Sequence, residues 1–420
     1  MRTAITALLV ALGILAVPEV ARAIPRFAAR NAMECIQCHI NPSGGGARNE
    51  YGAEVFERKW LPFASDEPDE TSWVRRLGAS NEKPIQAESA PFSGQITETL
   101  RIGGDFRAAY IYIRPEKGVG GKDPNVTSSF FLMQADLYHV ATLNDRLTLV
   151  IDVGVYSGFE AWGLWNLYSG NNDKVLLKVG RFVPAFGVRE VEHQLYTREG
   201  IGLSATDRDT GLELTSMFGH WTGQIGLFNG TLGDTAFDAP GSERESFEKE
   251  LVARTSYSFR LGPLQFQAGA SFSFNANANQ ANPLFGSSLP ADLTSNISEG
   301  VDELKAGLFL TGNLGRFTYL ADSAYIQDQF TNKGLGEVEG HAIYQELSFT
   351  PVQGLDLVVT HEFKDTDESL KPNASQRLGF VAEIFPLPFS ELRAMVRHEW
   401  GDTSPTGETW DAVLFLHAFM

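Results

Sequence analysis

Apolar and polar residues alternate with a period of two along most of the chain from residue 95 to 420. In the first such segment Leu100 and Ile102 fall on one face, while Arg101 and Asp105 fall on the other. Alternation of this kind is typical of β-strands whose two faces meet different environments. It predicts β structure, but a soluble sandwich and a membrane barrel both satisfy it.

The connections between these segments favour the barrel. Strands are predicted at residues 95–113, 128–143, 146–156, 159–168, 174–182, 208–218, 221–230, 248–260, 264–275, 302–314, 317–328, 341–350, 355–364, 376–385, 391–400 and 409–419. Short connections such as Asn144-Asp145 and Gly315-Arg316 alternate with long ones such as 183–207 and 276–301, and Ser157-Gly158 interrupts this rule. Short turns at one end and long loops at the other are the topology of outer-membrane barrels. We therefore expect an all-β fold, an antiparallel transmembrane β-barrel of about sixteen strands.

Aromatic residues near the predicted strand ends support a membrane location. The tryptophans concerned are Trp162, Trp165, Trp221, Trp400 and Trp410. Tryptophan is enriched at the interface between lipid and water, so these residues predict an interfacial girdle. Many barrels end on an aromatic residue, and here Phe419 stands one position before the terminal Met420.

The N-terminus reads as an export signal at residues 1–23. Arg2 is followed by an apolar run from Ala4 to Val17 and by Ala21-Arg22-Ala23, a cleavage-site pattern. The apolar run has about fourteen residues, against the roughly 20 that a spanning helix needs. We expect cleavage before Ile24 and export from the cytoplasm.

Charge limits the classes of partner. The formal net charge is −18, and loss of Arg2, Arg22 and Glu19 with the signal makes it −19. Such an acidic protein should not bind nucleic acid. A soluble periplasmic protein and a protein held in outer-membrane lipid both remain compatible with the charge.

Both cysteines of the chain lie in one run, Cys35-Ile36-Gln37-Cys38-His39. Two thiols at this spacing followed by histidine are the attachment signature of c-type haem. The pattern predicts one covalent haem c on Cys35 and Cys38, with His39 as the proximal ligand of the iron. A zinc site would need further ligands, a redox dithiol gives His39 no role, and a structural disulfide remains chemically possible.

The residues around this motif predict a short plug at 24–64. Gly44, Gly45 and Gly46 indicate either a close backbone approach to the porphyrin or a simple hinge. A helix is expected at 49–60, capped by Asn49. Residues 65–94 are a linker or loose plug, and residues 95–420 form the barrel.

The second axial ligand of a haem iron is not evident from the sequence. Three histidines fall on the predicted lipid face and are poor candidates: His139, His361 and His398. His417 should point into the lumen, His193 lies in a long loop, and Met33 is too close to Cys35 to reach across a porphyrin. Solvated or hydrogen-bonded histidine is the preferred interpretation in each case.

A group of carboxylates around one loop would suit a hard cation such as iron. Its members are Asp234, Asp238, Glu243, Glu245, Glu248 and Glu250. A solvated outer loop is the favoured interpretation, and no catalytic triad or carboxylate pair supports hydrolase activity.

The signal peptide, the single Cys35-x-x-Cys38-His39 motif, the short plug and the barrel together resemble the fused monohaem cytochrome–porins of bacterial outer membranes, best known from iron oxidisers. The stretch 180–187 with Tyr196-Thr197-Arg198 is similar to one in phosphate-selective porins. The first resemblance implies electron transfer across the outer membrane, between an extracellular donor or acceptor, such as ferrous iron, and a periplasmic c-type cytochrome. Such a protein would be an electron carrier or an iron:cytochrome c oxidoreductase. The alternative is a plugged solute or anion porin without a role as electron conduit.

Overall fold

The computed structural model describes residues 25–31, 33–63, 94–116, 126–155, 158–190, 192, 194–198, 201–203, 207–230, 249–278, 301–329, 337–368, 373–401 and 407–420. The predicted signal peptide and nearly all of the predicted linker lie outside these residues, so both stay predictions. Within the described ranges, no helix has the length and apolar character that crossing a membrane requires.

Sixteen strands close into one antiparallel barrel, which confirms the predicted fold class. They are β1 Leu100–Pro115, β2 Thr127–Asn144, β3 Leu147–Val155, β4 Gly158–Ser169, β5 Asp173–Phe182, β6 Asp209–Phe218, β7 Trp221–Phe228, β8 Glu250–Leu261, β9 Leu264–Ala278, β10 Val301–Leu314, β11 Phe317–Gln329, β12 Glu337–Val352, β13 Leu355–Asp365, β14 Ala374–Ile384, β15 Ser390–Gly401 and β16 Thr409–Phe419. Each strand pairs with its neighbours in the chain, and β1 pairs with β16 from Asp105↔Phe419 to Pro115↔Thr409. Closure leaves no edge strand unpaired.

The period-two alternation places apolar side chains outside and polar ones inside. Exposed outward residues include Leu137, Ile151, Leu308, Phe380 and Leu414. Buried inward residues include Asp105, Lys178, Glu213, Lys305 and Glu362. An apolar outer wall around a polar lumen is the arrangement of a membrane-spanning barrel.

The observed strand ends differ from the predicted ones mainly at β1 and β12. β1 begins at Leu100 rather than at residue 95, because Thr97 Oγ1 accepts hydrogen bonds from the N–H groups of Thr99 and Leu100 and holds a turn there. β12 begins at Glu337, four residues earlier than predicted.

Trp162 corrects the predicted aromatic girdle. Trp165, Trp221 and Trp410 face outward and are exposed, as expected. Trp162 is instead buried in the lumen, where its Nε1–H donates to Glu160 and Lys178 lies over its ring. The strand-end position was therefore a weaker guide than the parity of the alternation, which puts residues 160 and 162 on the inward face.

Residues 25–63 lie inside the barrel. They begin with helix α1, Pro25–Asn31, continue through one 3₁₀ turn, Cys35–Gln37, and end in a π-helix, Tyr51–Trp60. The predicted helix at 49–60 is thus present, but as a π-helix, in which an N–H donates to the carbonyl oxygen five residues earlier. Leu61 N–H donates in this way to Phe56 O. Helix α1 was not predicted.

Ion pairs and hydrogen bonds join this plug to inward side chains on many strands. Arg26 pairs with Glu346 of β12 and Glu383 of β14, and Arg30 pairs with Asp356 of β13. Further contacts reach β1, β5, β6 and β9, through Arg48–Asp105, Asn41–Lys178, Ser43–Glu213 and Glu34–Gln267. Contacts around the whole circumference place the plug in the lumen.

The plug lies toward the end of the barrel that carries the short turns. Phe63 N–H donates to Phe385 O in the short connection between β14 and β15. Phe419, near the C-terminus, turns inward and packs with Phe27 and Phe385 around the plug. Phe419 therefore contacts the plug rather than lipid.

Candidate functional site

The Cys35–His39 motif forms a hydrogen-bonded turn. The N–H groups of Cys38 and His39 both donate to Cys35 O, at 3.2 and 2.9 Å. The next residues fold back on the motif, since Ile40 N–H donates to Ala47 O and Asn49 N–H donates to Cys38 O. The turn is therefore held from both sides and presents the two thiols and the imidazole from one short segment.

Asn49 and Gly52 join the π-helix to this turn. Asn49 Oδ1 accepts the N–H of Gly52 at 2.9 Å, and Asn49 Nδ2–H donates to Ile36 O at 2.9 Å. Asn49 thus acts at the helix start, as predicted. A Cβ at Gly52 would clash with Cys38 O, so only glycine allows this close approach.

Gly44, Gly45 and Gly46 have φ of 86°, 73° and 65°, a region that favours glycine. A Cβ on Gly44 would lie 3.1 Å from Cys35 Sγ, and one on Gly45 would lie 3.0 Å from Arg189 Nε. Gly44 and Gly45 therefore allow close packing against Cys35 and Arg189, while a close approach to a porphyrin and a simple hinge both stay predictions. At Gly46 a Cβ would meet open space.

Cys35 and Cys38 are not joined by a disulfide bond. Burial, followed by the charge of Glu34, raises the pKa of the Cys35 thiol above its usual value. Within the described residues, no three or more His, Cys, Asp or Glu side chains are grouped to hold a metal ion. The zinc and disulfide alternatives therefore gain no support from the fold.

The imidazole of His39 is held in its neutral form. Burial, with a smaller effect of the Arg48 charge, lowers the pKa of His39 to about 3. Its Nδ1 lies 3.4 Å from Gly46 O, a carbonyl oxygen that accepts a hydrogen bond from the Nδ1–H tautomer. Nε2 is then left as a lone-pair donor, the state that an iron ligand requires.

The three motif residues line one cavity of about 360 Å³ between plug and wall. The value lies within the roughly 300–1,000 Å³ of small-molecule and cofactor sites. The plug contributes apolar surface through Phe27, Phe56 and Leu61, beside Phe385 and Phe419 from the barrel. The remaining wall is charged and includes Asp105, Asp136, Asp152, Glu160, Arg107, Arg208, Glu391 and Arg393.

Arg48 fastens the plug beside this cavity. Its Nη1 and Nη2 donate to the two oxygens of Asp105 at 3.0 and 3.2 Å, and its Nε donates to Glu57 at 2.6 Å. The paired carboxylates raise the pKa of Arg48 well above its usual value despite burial. Tyr138 O–H donates to the same Asp105, so the group is hydrogen-bonded on several sides.

A long loop after β5 folds into the lumen over the plug. Arg198 holds it, donating to Phe186 O and Val188 O and pairing with Asp322 of β11 at 2.5 Å. The segment that resembles phosphate-selective porins, residues 180–187 and 196–198, therefore covers the end of β5 and parts of this inward-folded loop. The loop carries Arg189 into the cavity.

The histidines predicted from the alternation occupy the expected faces. His139 is exposed on the outer wall, while His361 and His398 lie on outward positions of β13 and β15. His417 points into the lumen and lines the cavity. Its two nitrogens lie 2.9 Å from Glu391 Oε2 and 3.0 Å from Asp105 Oδ1, so it is a hydrogen-bonded histidine, as preferred.

Three other expectations concern Met33, His193 and the acidic loop. Met33 is buried in the apolar cluster with Phe27 and Cys38. His193 lies outside the described residues, as do Asp234, Asp238, Glu243, Glu245 and Glu248. Glu250, the described member of that loop group, is buried in the wall and pairs with Ser273 at 2.6 Å.

Sequence reasoning missed Arg26, Arg189 and Met133. Arg26 and Arg189 bring cations to the plug and the cavity, and Met133 brings a thioether to the same cavity. Two of these residues could have been noticed in the sequence: Arg26 stands shortly after the predicted signal peptide, and Arg189 stands shortly after the stretch 180–187. Met133 sits at a β-bulge, which no sequence pattern marks.

The fold is similar to that of known porins. It matches an anion-selective porin from Comamonas acidovorans with a TM-score of 0.53 and 12% identity, covering 77% of this chain and 99% of that one. It matches the outer membrane channel DcaP of Acinetobacter baumannii with a TM-score of 0.50 and 11% identity, covering 76% and 97%. No protein-family model and no curated protein matches the sequence.

At these identities the likeness concerns the fold. Together with the apolar outer wall, it confirms the predicted barrel in the bacterial outer membrane. The haem, its ligands and the redox partners stay predictions.

Proposed function

We propose that the chain carries one covalent haem c inside the lumen and transfers electrons across the outer membrane. Cys35 and Cys38 would be the covalent anchors, and His39 the proximal ligand of the iron. The observation that carries the proposal is that these three residues line a single lumen cavity and that neither cysteine is in a disulfide. When bound, the haem would supply one-electron redox chemistry.

The other cavity residues fit such a group. Arg107 Nε and Arg189 Nη1 are buried nitrogens without a hydrogen-bond partner, and both side chains line the cavity. Guanidinium groups are suited to bind carboxylates, which the porphyrin carries. Gly44 and Gly45 leave room where a Cβ would meet Cys35 or Arg189.

The chain itself controls the surroundings of the site. The aromatic side chains of Phe27, Phe56 and Phe385 pack together beside the motif and exclude water from that side. Exclusion of water and nearby charge both set the potential of a haem. Burial, with a smaller effect of the Arg48 charge, lowers the pKa of His39 and keeps it neutral, and Arg48 ties the plug to the wall through Asp105.

The lumen location gives the electron route. Lipid separates the two aqueous compartments, and a haem on a plug inside the barrel would lie between them. The partners we propose are an extracellular donor, such as ferrous iron, and a periplasmic c-type cytochrome as acceptor. The same residues would serve flow in the opposite direction, to an extracellular acceptor.

To test the proposal, the protein is coexpressed with a cytochrome c maturation system and then purified. We expect a pyridine haemochrome spectrum of haem c, near one haem per chain, and reduction of the ferric protein by ferrous iron. Cys38→Ala should attach less haem, through a single thioether. Absence of covalent haem from the wild-type barrel would refute the proposal, whereas failure of ferrous iron alone would remove that donor.

The second candidate is a plugged solute or anion porin. It draws on the barrel fold and on the arginines that the inward loop brings to the lumen, such as Arg189 and Arg198. Single-channel recording separates the two functions. A large steady conductance from haem-loaded protein would favour solute transport.

A further inference from the structure

A haem iron bound by His39 has a second axial position, which a protein donor can fill. Four described side chains line the cavity with an atom suited to that position and are not part of the motif: His417, Tyr138, Tyr344 and Met133. The inference that follows rests on the proposed haem and asks which of the four is the second ligand.

The first three have their donor atoms engaged. Both nitrogens of His417 face carboxylates at 2.9 and 3.0 Å. Tyr138 O–H donates to Asp105, and Tyr344 O–H donates to Glu346 at 2.6 Å. Each group would have to give up a buried hydrogen bond to a carboxylate, which is unfavourable because hydrogen bonds to charged groups are stronger than neutral ones.

Met133 has no such bond to lose, because a thioether is only a weak acceptor. It lies on β2 where the pairing with β1 shifts by one residue: Arg107 pairs with Gln134, but Ala108 pairs with Leu132. Met133 is the extra residue of this bulge. Bulges re-aim side chains, and this one brings the Met133 side chain to the lumen cavity.

The surroundings of Met133 suit a sulfur ligand. It packs against an apolar cluster on the inner wall that includes Ala109, Val413 and Phe415. Apolar lining inside an otherwise polar barrel keeps water away from a neighbouring metal site. A thioether ligand and an apolar shell both raise the reduction potential of a haem.

We propose that the sulfur of Met133 is the second axial ligand of the haem. The wall of the barrel and the plug would then each supply one ligand, and the wall ligand would depend on the β1–β2 bulge. A high potential, which this ligand pair favours, suits a carrier that takes electrons from a weak reductant such as ferrous iron.

The test compares wild type, Met133→Ala and Met395→Ala, each loaded with haem. Met395 belongs to the same inner apolar cluster but does not line the cavity, so it is a matched control. We expect wild type and Met395→Ala to show the long-wavelength charge-transfer band of thioether-bound ferric haem. Met133→Ala should lose that band, shift to a lower midpoint potential and bind carbon monoxide faster in the ferrous state.

Two results would overturn the assignment. One is an unchanged ferric spectrum and potential in Met133→Ala. The other is loss of the axial ligand signature in His417→Ala but not in Met133→Ala. Absence of covalent haem from wild type would instead refute the proposed function, so the two failures are distinguishable by the pyridine haemochrome assay.

Discussion

Gly44 and Gly46 share a left-handed backbone conformation but differ in their surroundings. Both have positive φ, 86° and 65°, so a side chain at either position strains the backbone. A Cβ at Gly44 would also lie 3.1 Å from Cys35 Sγ, whereas one at Gly46 would have no heavy atom within 4 Å. The pair therefore separates backbone strain from obstruction of the thiol.

Gly44→Ala should lower the amount of covalent haem per folded barrel, because the new methyl group crowds the thiol that must form a thioether. Gly46→Ala introduces only the backbone strain, about 1–2 kcal/mol, and should load haem close to the wild-type level. Haem per chain by pyridine haemochrome, normalised to heat-modifiable gel mobility, measures the effect. Equal loading of the two variants would contradict a role for close approach at Gly44.

At the scale of elements, a few buried ion pairs hold the plug in the barrel. Arg26 of α1 is buried between Glu346 of β12 and Glu383 of β14. Removing one partner of a buried pair leaves the other charge uncompensated. Arg58, by contrast, pairs with Glu54 within the π-helix and is only partly buried.

Arg26→Ala should therefore weaken docking of the plug by about 3–5 kcal/mol. Arg58→Ala, the control, should cost about 0.3–0.5 kcal/mol. Limited proteolysis of refolded barrels measures this difference as the cleavage rate within residues 25–63. Equal protection of both variants would show that the apolar packing of Phe27 and Phe56 holds the plug without Arg26.

The sequence predicts the strands well and the lumen poorly, for physical reasons. Period-two alternation and turn residues are local signals, so the predicted ends lie close to the observed ones. Helix α1 has only seven residues, too few for a clear helical pattern. The bulge at Met133 shifts the parity of β2 by one, and the inward pairing of Arg198 with Asp322 joins distant parts of the chain.

The sequence likewise predicts some residues of the candidate site and not others. Cys35, Cys38 and His39 are readable because they form one short sequence motif, and the structure places them together at one cavity. Arg189 and Met133 reach that cavity only through a folded loop and a bulged strand. Their contribution depends on tertiary structure that no short motif records.

At the scale of the whole molecule, two segments among the described residues occupy the lumen: the plug of residues 25–63 and part of the loop after β5. A barrel of about sixteen strands leaves a water-filled channel when empty. Ion pairs of the plug with β1, β12, β13 and β14 hold it across that channel, while Arg198 holds the loop independently through β11.

Deletion of residues 25–63 should therefore convert a poorly conducting barrel into an open channel. The barrel should still fold, because the contacts between the plug and the barrel lie on the lumen side of the strands and not between strands. We expect larger single-channel conductance in planar bilayers than from the full chain, with the heat-modifiable mobility of a folded barrel preserved. Arg198→Ala with the plug intact is the matched variant. If it raises conductance as much as the deletion does, the loop rather than the plug closes the lumen.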